Sequence, residues 1–375
     1  MGVSFGYALI SCERHPAVDR TAGELYRDGL ALARRAEELG LDSVWTSEHH
    51  FVDTEYLPSP LVMAAAMAAV TSRIRVGTGV MLGPLYHPLH IAEDAATADL
   101  IAEGRLILGL GLGWSGIEFK AFGADRTKRA RAMEELLDVL DGAARDDLLR
   151  HHGALWDLPE VAVRPKPARG RLTVWLGGTA EPAVRRAARR ADGVFLHTPI
   201  EQFRAQMTAI REELERIGRD PATFQVGVYL TIVPTHDGTD GWHAYGDLVR
   251  LAQWKYRDLR AASTRVGEPL PTGGPLPPED EAAMRGCYVG GSPDAIAEQL
   301  RAYVDAAAGN LHIVARDYLP GLGPAAQVEL LERFAREVPP LFGGGVSGGG
   351  ADRRAAGAGG GRSAGAPRTD ATEGR

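Results

Sequence analysis

The sequence is poor in cysteine: its 375 residues contain only Cys12 and Cys287. Two thiols so far apart make neither a disulfide framework nor a metal-type spacing, so a reduced, cytoplasmic setting is expected and no metal site. No apolar run approaches the roughly 18 uninterrupted residues of a membrane span. The opening Met1-Gly2-Val3-Ser4 has no basic n-region, so neither membrane insertion nor a secretory signal is read. Clusters of positive charge are also missing. The net charge is −7, with basic residues scattered, which argues against nucleic acid or an anionic membrane as the main partner. There is no HExxH, no P-loop and no GxSxG, which removes the usual signals of zinc hydrolysis, nucleotide hydrolysis and an esterase elbow. Gly109-Leu110-Gly111-Leu112-Gly113 lacks the dinucleotide-binding spacing, because its glycines fall within a strand and not in the turn after it.

What the chain does have is a strict alternation of apolar strands and amphipathic helices. Val3–Ile10 reads as a strand and Thr21–Leu39 as a helix closed by Gly40; Asp42–Ser47 is the next strand, and Pro60, with Ser59 as its cap, opens a helix to Val70. Strands then fall at Ile74–Leu82, Arg105–Gly113, Leu172–Gly178, Gly193–His197, Phe224–Val233 and Asn310–Val314. The intervening helices include Lys128–Leu149, Glu181–Arg190, Ile200–Ile217, one from near Trp242, one from Pro293, and Ala325–Val338. Residues 151–171 interrupt the pattern as a hairpin or extended excursion, and residues 262–281 read as a loop. Eight strand-then-helix units with buried strands point to a (β/α)8 TIM barrel with insertions in the βα loops; an open doubly wound sheet is the alternative. The barrel domain spans residues 1–342. The Gly/Ala/Ser/Arg-rich stretch 343–375 has almost no large apolar residue and is expected to be a disordered tail.

Chemistry concentrates where strands end, since the loops there face one crevice. The second strand ends on three ionisable side chains, Glu48, His49 and His50. Neighbours on an extended segment face opposite ways, so at most one of the two histidines faces a given pocket. One histidine as a structural hydrogen-bonder and the other exposed is the plain reading; a catalytic role for one of them is the functional one. Gly177-Gly178-Thr179, between a strand and a helix, has the backbone N–H groups, hydroxyl and helix N-terminus of a phosphate site, although a glycine pair there also serves a tight turn. Gly290-Gly291-Ser292-Pro293 has the same two readings.

The sequence resembles the bacterial luciferase-like flavin monooxygenase family over most of residues 3–338. The resemblance rests on Glu48-His49-His50-Phe51, Gly77-Thr78-Gly79-Val80 followed by His87-Pro88, Gly104-Arg105, Leu108-Gly109, Glu118-Phe119, Val174-Trp175-Leu176-Gly177-Gly178, Ala191-Asp192-Gly193 and Gly291-Ser292-Pro293. It implies the same barrel and an enzyme using reduced FMN and O2, or the deazaflavin F420 for hydride transfer; a non-catalytic flavin-binding homologue is the third possibility it leaves. It puts His49 in the place of the catalytic histidine beside the flavin, where an imidazole can stabilise a C4a-hydroperoxyflavin and shuttle a proton, with Glu48 and His50 alongside. It further implies a non-prolyl cis peptide at Gly79-Val80 under the isoalloxazine, cofactor contacts at Gly111, and a phosphate loop at Gly177, Gly178 and Thr179. Leu112 stands where a phosphate-binding arginine is found in the family, and Arg129 or Arg131 is the candidate to replace its charge. A separate flavin reductase, a small organic substrate and a homodimer are expected with this resemblance.

Overall fold

The computed structural model describes residues 2–15, 18–52, 54–250, 277–307 and 310–343. Eight parallel strands form a closed ring: β1 (Ser4–Ile10), β2 (Ser43–Thr46), β3 (Arg75–Thr78), β5 (Leu106–Gly111), β8 (Thr173–Gly177), β9 (Gly193–Leu196), β10 (Gln225–Pro234) and β12 (Leu311–Arg316). Closure comes from the pairing of β9 with β10 and of β12 with β1. Helices follow the strands and cover the ring from outside, the first being Ala22–Glu38 and the last Pro324–Glu337. The ring is the expected TIM barrel, and the open sheet is excluded by that closure. Three short additions decorate it. β4 (Met81–Leu82) pairs with β5, β6 (Leu149–His152) and β7 (Asp157–Val161) make an antiparallel hairpin, and β11 (Tyr288–Gly291) extends β10.

Apolar side chains gather outside and inside the ring, with a smaller cluster of Val233, Trp242, Val249, Met284, Leu319 and Leu330 beside them. Outside the ring, strands and helices share one continuous core. Inside it, Trp45, Trp175, Phe195, Leu9, Ile107 and Val314 pack against each other. Trp45 lies 5.2 Å from Trp175 and stacks on Phe195 at 4.5 Å between ring centroids. The strand glycines make room for these rings: a Cβ on Gly77 would overlap the Trp45 indole, and one on Gly227 would come within 2.6 Å of Trp175. The lower half of the barrel is therefore solid, as in a packed core, and open space is confined to the carboxyl ends of the strands.

Local signals mostly behave as expected. Thr21 caps the first helix in a capping box with Glu24, and Gly40, at φ 78°, follows its end in the left-handed conformation. Ser59 holds the expected cap position but makes no capping bond; its ψ of 75° departs from the extended 155° at Thr21. The strand expected over Ile74–Leu82 is two, β3 and β4, divided by a cis peptide between Gly79 and Val80. The helix expected to reach Leu149 ends at Arg145, where Asp146 turns extended and Lys166 takes up the carbonyls of Ala143 and Asp146. Gly290 and Gly291 belong to β11 and not to a free turn. Residues 242–250 are helical, as expected from Trp242 onward. Of the loop expected over 262–281, residues 262–276 lie outside the described residues, and Pro278–Glu281 are instead the start of the helix Pro278–Arg285, with Pro278 at its first position and three acidic residues in its first turn; the tail from 344 also lies outside them.

Candidate active site

A cavity of about 520 Å³ lies at the carboxyl ends of the strands. Most of the strands that reach it do so with residues that end or follow the apolar run, while Leu9 of β1 and Tyr229 of β10 line it from within their strands. β2 brings Glu48 and His49, β3 brings Gly79 and Val80, β8 brings Gly177, Gly178 and Thr179, β9 brings His197, and β12 brings Arg316.

The two histidines part company as strand geometry requires. His49 lines the cavity, with Nδ1 3.1 Å from Oε1 of Glu118 and its ring edge-on to Tyr56 and Trp114. The same Glu118 oxygen accepts the backbone N–H of His50 at 3.0 Å, in a side chain with no solvent exposure. His50 turns away, with Nε2 2.6 Å from Oε1 of Glu48 and its ring edge-on to Phe122. Glu48 is a structural hub. Its Oε1 also accepts the Tyr86 hydroxyl at 2.7 Å, and its Oε2 accepts the backbone N–H of Leu82 at 2.8 Å. Burial, reinforced by this neighbouring carboxylate, pushes the Tyr86 phenol far above its ordinary value, so it remains a donor. Through Leu82, Glu48 fastens the end of β2 to the segment carrying Gly79 and Val80.

Val80 projects between two strands that carry glycine where a side chain would collide with it. A Cβ on Gly177 would lie 2.8 Å from Val80 Cγ1, and one on Gly111 would overlap Cγ2. Gly79 is equally confined, since a Cβ there would meet Phe195 at 2.8 Å and Leu9 at 2.9 Å. Next along the cavity, Gly178 has φ 150°, and Thr179 precedes the ten-residue helix Glu181–Arg190. Arg129 lines the same cavity; it donates to the Arg126 carbonyl at 2.8 Å and has no carboxylate within 4 Å among the described residues. Arg131 does not line it. Its Nε donates to Glu135 at 2.7 Å, and Glu135 in turn accepts the N–H groups of Ala154, Leu155 and Trp156, so Arg131 helps pin the β6–β7 turn.

Sequence reasoning missed part of the site. Trp114, Tyr56, His197, Tyr229 and Arg316 all line the cavity. His197 stacks on Tyr229 at 4.5 Å and 7°, and Tyr229 stacks on Phe195, which continues the aromatic column upward from the barrel interior. Burial first, and the Arg316 charge second, push His197 down to about 3, so it is neutral at physiological pH. His197 and Arg316 carry the signal that found His49, a titratable residue closing an apolar strand. Glu118 carries a different one, a carboxylate between apolar neighbours on a short helix.

Among the described residues no group of three or more His, Cys, Asp and Glu side chains is placed to hold a metal ion, and no helix is long and apolar enough to cross a membrane. Comparison with known proteins adds the following. An uncharacterised protein of Sinorhizobium fredii is 29% identical over 68% of this chain and 66% of its own length. The oxygenase component of a flavin-dependent trigonelline monooxygenase from Acinetobacter baylyi is 29% identical over 40% of this chain and 41% of its own. The matched part of the chain thus spans less than two thirds of either relative. Among solved structures, a monooxygenase from Streptomyces bottropensis superposes with a TM-score of 0.77 at 23% identity, covering 91% of this chain and all of that one. The oxygenating constituent of 3,6-diketocamphane monooxygenase from Pseudomonas putida, solved with FMN, gives 0.68 at 22% identity, over 91% of this chain and 99% of that one. An F420-dependent tetrahydromethanopterin reductase from Methanopyrus kandleri gives 0.67 at 19%, over 91% and 100%. At these identities the structural likenesses speak for the barrel alone. The family description for luciferase-like monooxygenases matches residues 7–309, nearly the whole of the ring, and the chain belongs to that family.

Proposed function

We propose that the protein is the oxygenase of a two-component system, using reduced FMN and O2 to oxygenate a small organic substrate. The observation that carries this reading is the pairing, in one cavity, of a single-phosphate cradle with a buried histidine–carboxylate couple. Gly177, Gly178, Thr179 and the helix N-terminus after them offer N–H groups and a hydroxyl, and Arg129 offers a guanidinium not committed to a carboxylate. That set suits one terminal phosphate. A longer acidic tail, as on F420, would ask for further cations, and among the described residues the other arginine lining the cavity is Arg316, on the β12 side.

When bound, reduced FMN supplies the two electrons with which one oxygen atom of O2 enters the product and the other leaves as water. The chain does the rest. Val80, in the space left by Gly111 and Gly177, presents an apolar surface that would receive the ring system, and the Phe195–Tyr229–His197 stack adds an aromatic wall to the same cavity. Glu118 holds His49 through Nδ1, which fixes the ring, and an imidazole so held can hold or deliver a proton in the cavity. Tyr56 and Trp114 flank that ring and limit water around it. Neutral His197 adds a polar edge without adding charge. A separate reductase as the source of reduced flavin is in keeping with the relative named as an oxygenase component.

Titration with reduced FMN and reduced F420, followed by single turnover in air with candidate apolar ketones and aldehydes, tests the reading. Tighter FMN binding and oxygen in the product are expected. Tighter F420 binding with O2-independent substrate reduction would overturn it in favour of a hydride-transfer enzyme.

A further inference from the structure

A second cavity, of about 480 Å³, lies outside the ring between helix Ala22–Glu38 and helix Pro324–Glu337. Leu25, Leu32, Leu319, Leu322 and Val328 give it an apolar lining, and Ala31, Pro324 and Ala325 at its edge are exposed, so it opens to the surface. Its polar groups are largely engaged: Gln327 accepts the Leu319 N–H and donates to Tyr7 and to the Asp317 carbonyl, and Asp28 is paired with Arg20. Between this cavity and the site at the strand ends lies a third space of only about 20 Å³. It shares Glu13, Tyr318, Leu319 and Pro320 with the outer cavity, and Leu9, Tyr56 and Arg316 with the active site. The three spaces are neighbours, each sharing lining residues with the next, and Tyr56, which borders the smallest, also packs edge-on against the His49 ring.

The sizes decide what can use this route. A space of ~20 Å³ holds about one water-sized molecule. It therefore excludes an organic substrate and admits a diatomic gas. Small apolar solutes such as xenon settle against apolar cavity walls, and Leu25, Leu32, Leu322 and Val328 offer O2 such a surface. The active-site cavity, of about 520 Å³, must hold both the cofactor ring and the substrate, which obstruct its own mouth. We propose that the outer cavity gathers O2 and that the Tyr56–Arg316 passage delivers it to the active site. This rests on the proposed function, because it needs a reduced cofactor that reacts with O2.

The test uses the full chain loaded with reduced FMN without oxygen, then mixed with oxygenated buffer. Bound reduced flavin gives two electrons and two protons to O2, yielding oxidised FMN and hydrogen peroxide when no substrate is present, and the rate is read from flavin absorbance. Val328→Trp, which fills the cavity, and Ala31→Trp, at its exposed edge, should each lower the second-order rate with O2 several-fold and leave FMN affinity unchanged. Xenon introduced under pressure should bind among Leu25, Leu32 and Val328. Unchanged oxidation rates in both variants, or no xenon in the cavity, would overturn the proposal. So would a change in KM for the organic substrate with no change in O2 reactivity, which would make the cavity a substrate site. A wild-type chain that binds no reduced FMN would fail at the loading step, before O2 is added, and would instead sink the monooxygenase reading on which the route depends.

Discussion

His49 and Glu118, 69 positions apart in the chain, meet at 3.1 Å, and the carboxylate oxygen that meets the imidazole also holds the backbone of His50. One buried acid thus sets both the orientation of the cavity-facing ring and the path of the chain that carries it. His49→Ala should lower oxygenation by roughly 10²–10⁴-fold, the range of a positioned acid–base group, with reduced-FMN affinity little changed. Glu118→Gln should lower turnover less, because the amide oxygen still accepts the His50 N–H. Single-turnover product yield measures both, and an unaffected His49→Ala would remove this residue from the mechanism.

His50→Ala is expected to behave as a stability variant. It deprives the buried Glu48 carboxylate of one of three donors, at a cost of about 1–3 kcal/mol. Urea unfolding reads the loss, and turnover per folded molecule should fall far less than in His49→Ala.

Arg129 and Arg131 should separate cleanly. On the proposed function, Arg129→Ala should remove a charge-assisted phosphate contact and lower FMN affinity about 10- to 100-fold. Riboflavin, which has no phosphate, should bind the variant and the parent alike. Arg131→Ala should leave FMN affinity intact and loosen the β6–β7 turn through Glu135. The opposite assignment of the two effects would move the phosphate away from the Gly177 loop.

Gly177→Ala brings a methyl group to 2.8 Å from Val80, a contact that forces the valine or the strand to shift. Overpacking of this kind costs about 1–3 kcal/mol, and here it falls on the lining of the active-site cavity proposed to take the cofactor. Weaker quenching of flavin fluorescence on titration should report it, with the far-UV circular dichroism of the barrel preserved.

The pH dependence of stability carries a signature of His197. Its folded value, about 3, lies below the 6.5 of an ordinary histidine, so between these values the unfolded chain binds the extra proton. The native state is therefore fully favoured above about 6.5 and loses stability as acid is added down to about 3. His197→Gln should flatten this dependence by up to about 1.4 kcal/mol per pH unit, read as denaturant midpoints across the neutral to mildly acid range. An unchanged slope would mean that His197 titrates normally in the folded protein.

The barrel is legible in the sequence because every strand is an apolar run and most helices announce their ends, as Thr21 and Gly40 do for the first. His49 is legible for the same reason, standing where an apolar run stops. Its partnership is not, since the carboxylate between apolar neighbours marks Glu118 but nothing local ties it to His49. The choice between Arg129 and Arg131 is also closed to sequence reasoning. Two positions on a helix differ by about 200° in direction, and only the docked helix shows which one faces the cavity. β11 escapes notice because Tyr288–Gly291 is four residues long and half glycine. The division of β3 from β4 lies in the backbone at Gly79–Val80, where composition gives no hint of it and the family resemblance does.

The indole pair inside the ring has an optical consequence. Trp45 and Trp175 sit in the layer directly beneath the cavity, stacked through Phe195 to Tyr229 at its wall, and Trp114 lines the cavity itself. Three of the six tryptophans are thus within or just below the space that a flavin would enter. An oxidised flavin absorbs where indoles emit, so ligand arrival should dim the protein's own ultraviolet emission by energy transfer. Trp114→Phe should remove a part of that signal without touching the buried pair, giving a label-free gauge of occupancy that reads the mouth and the floor of the site separately.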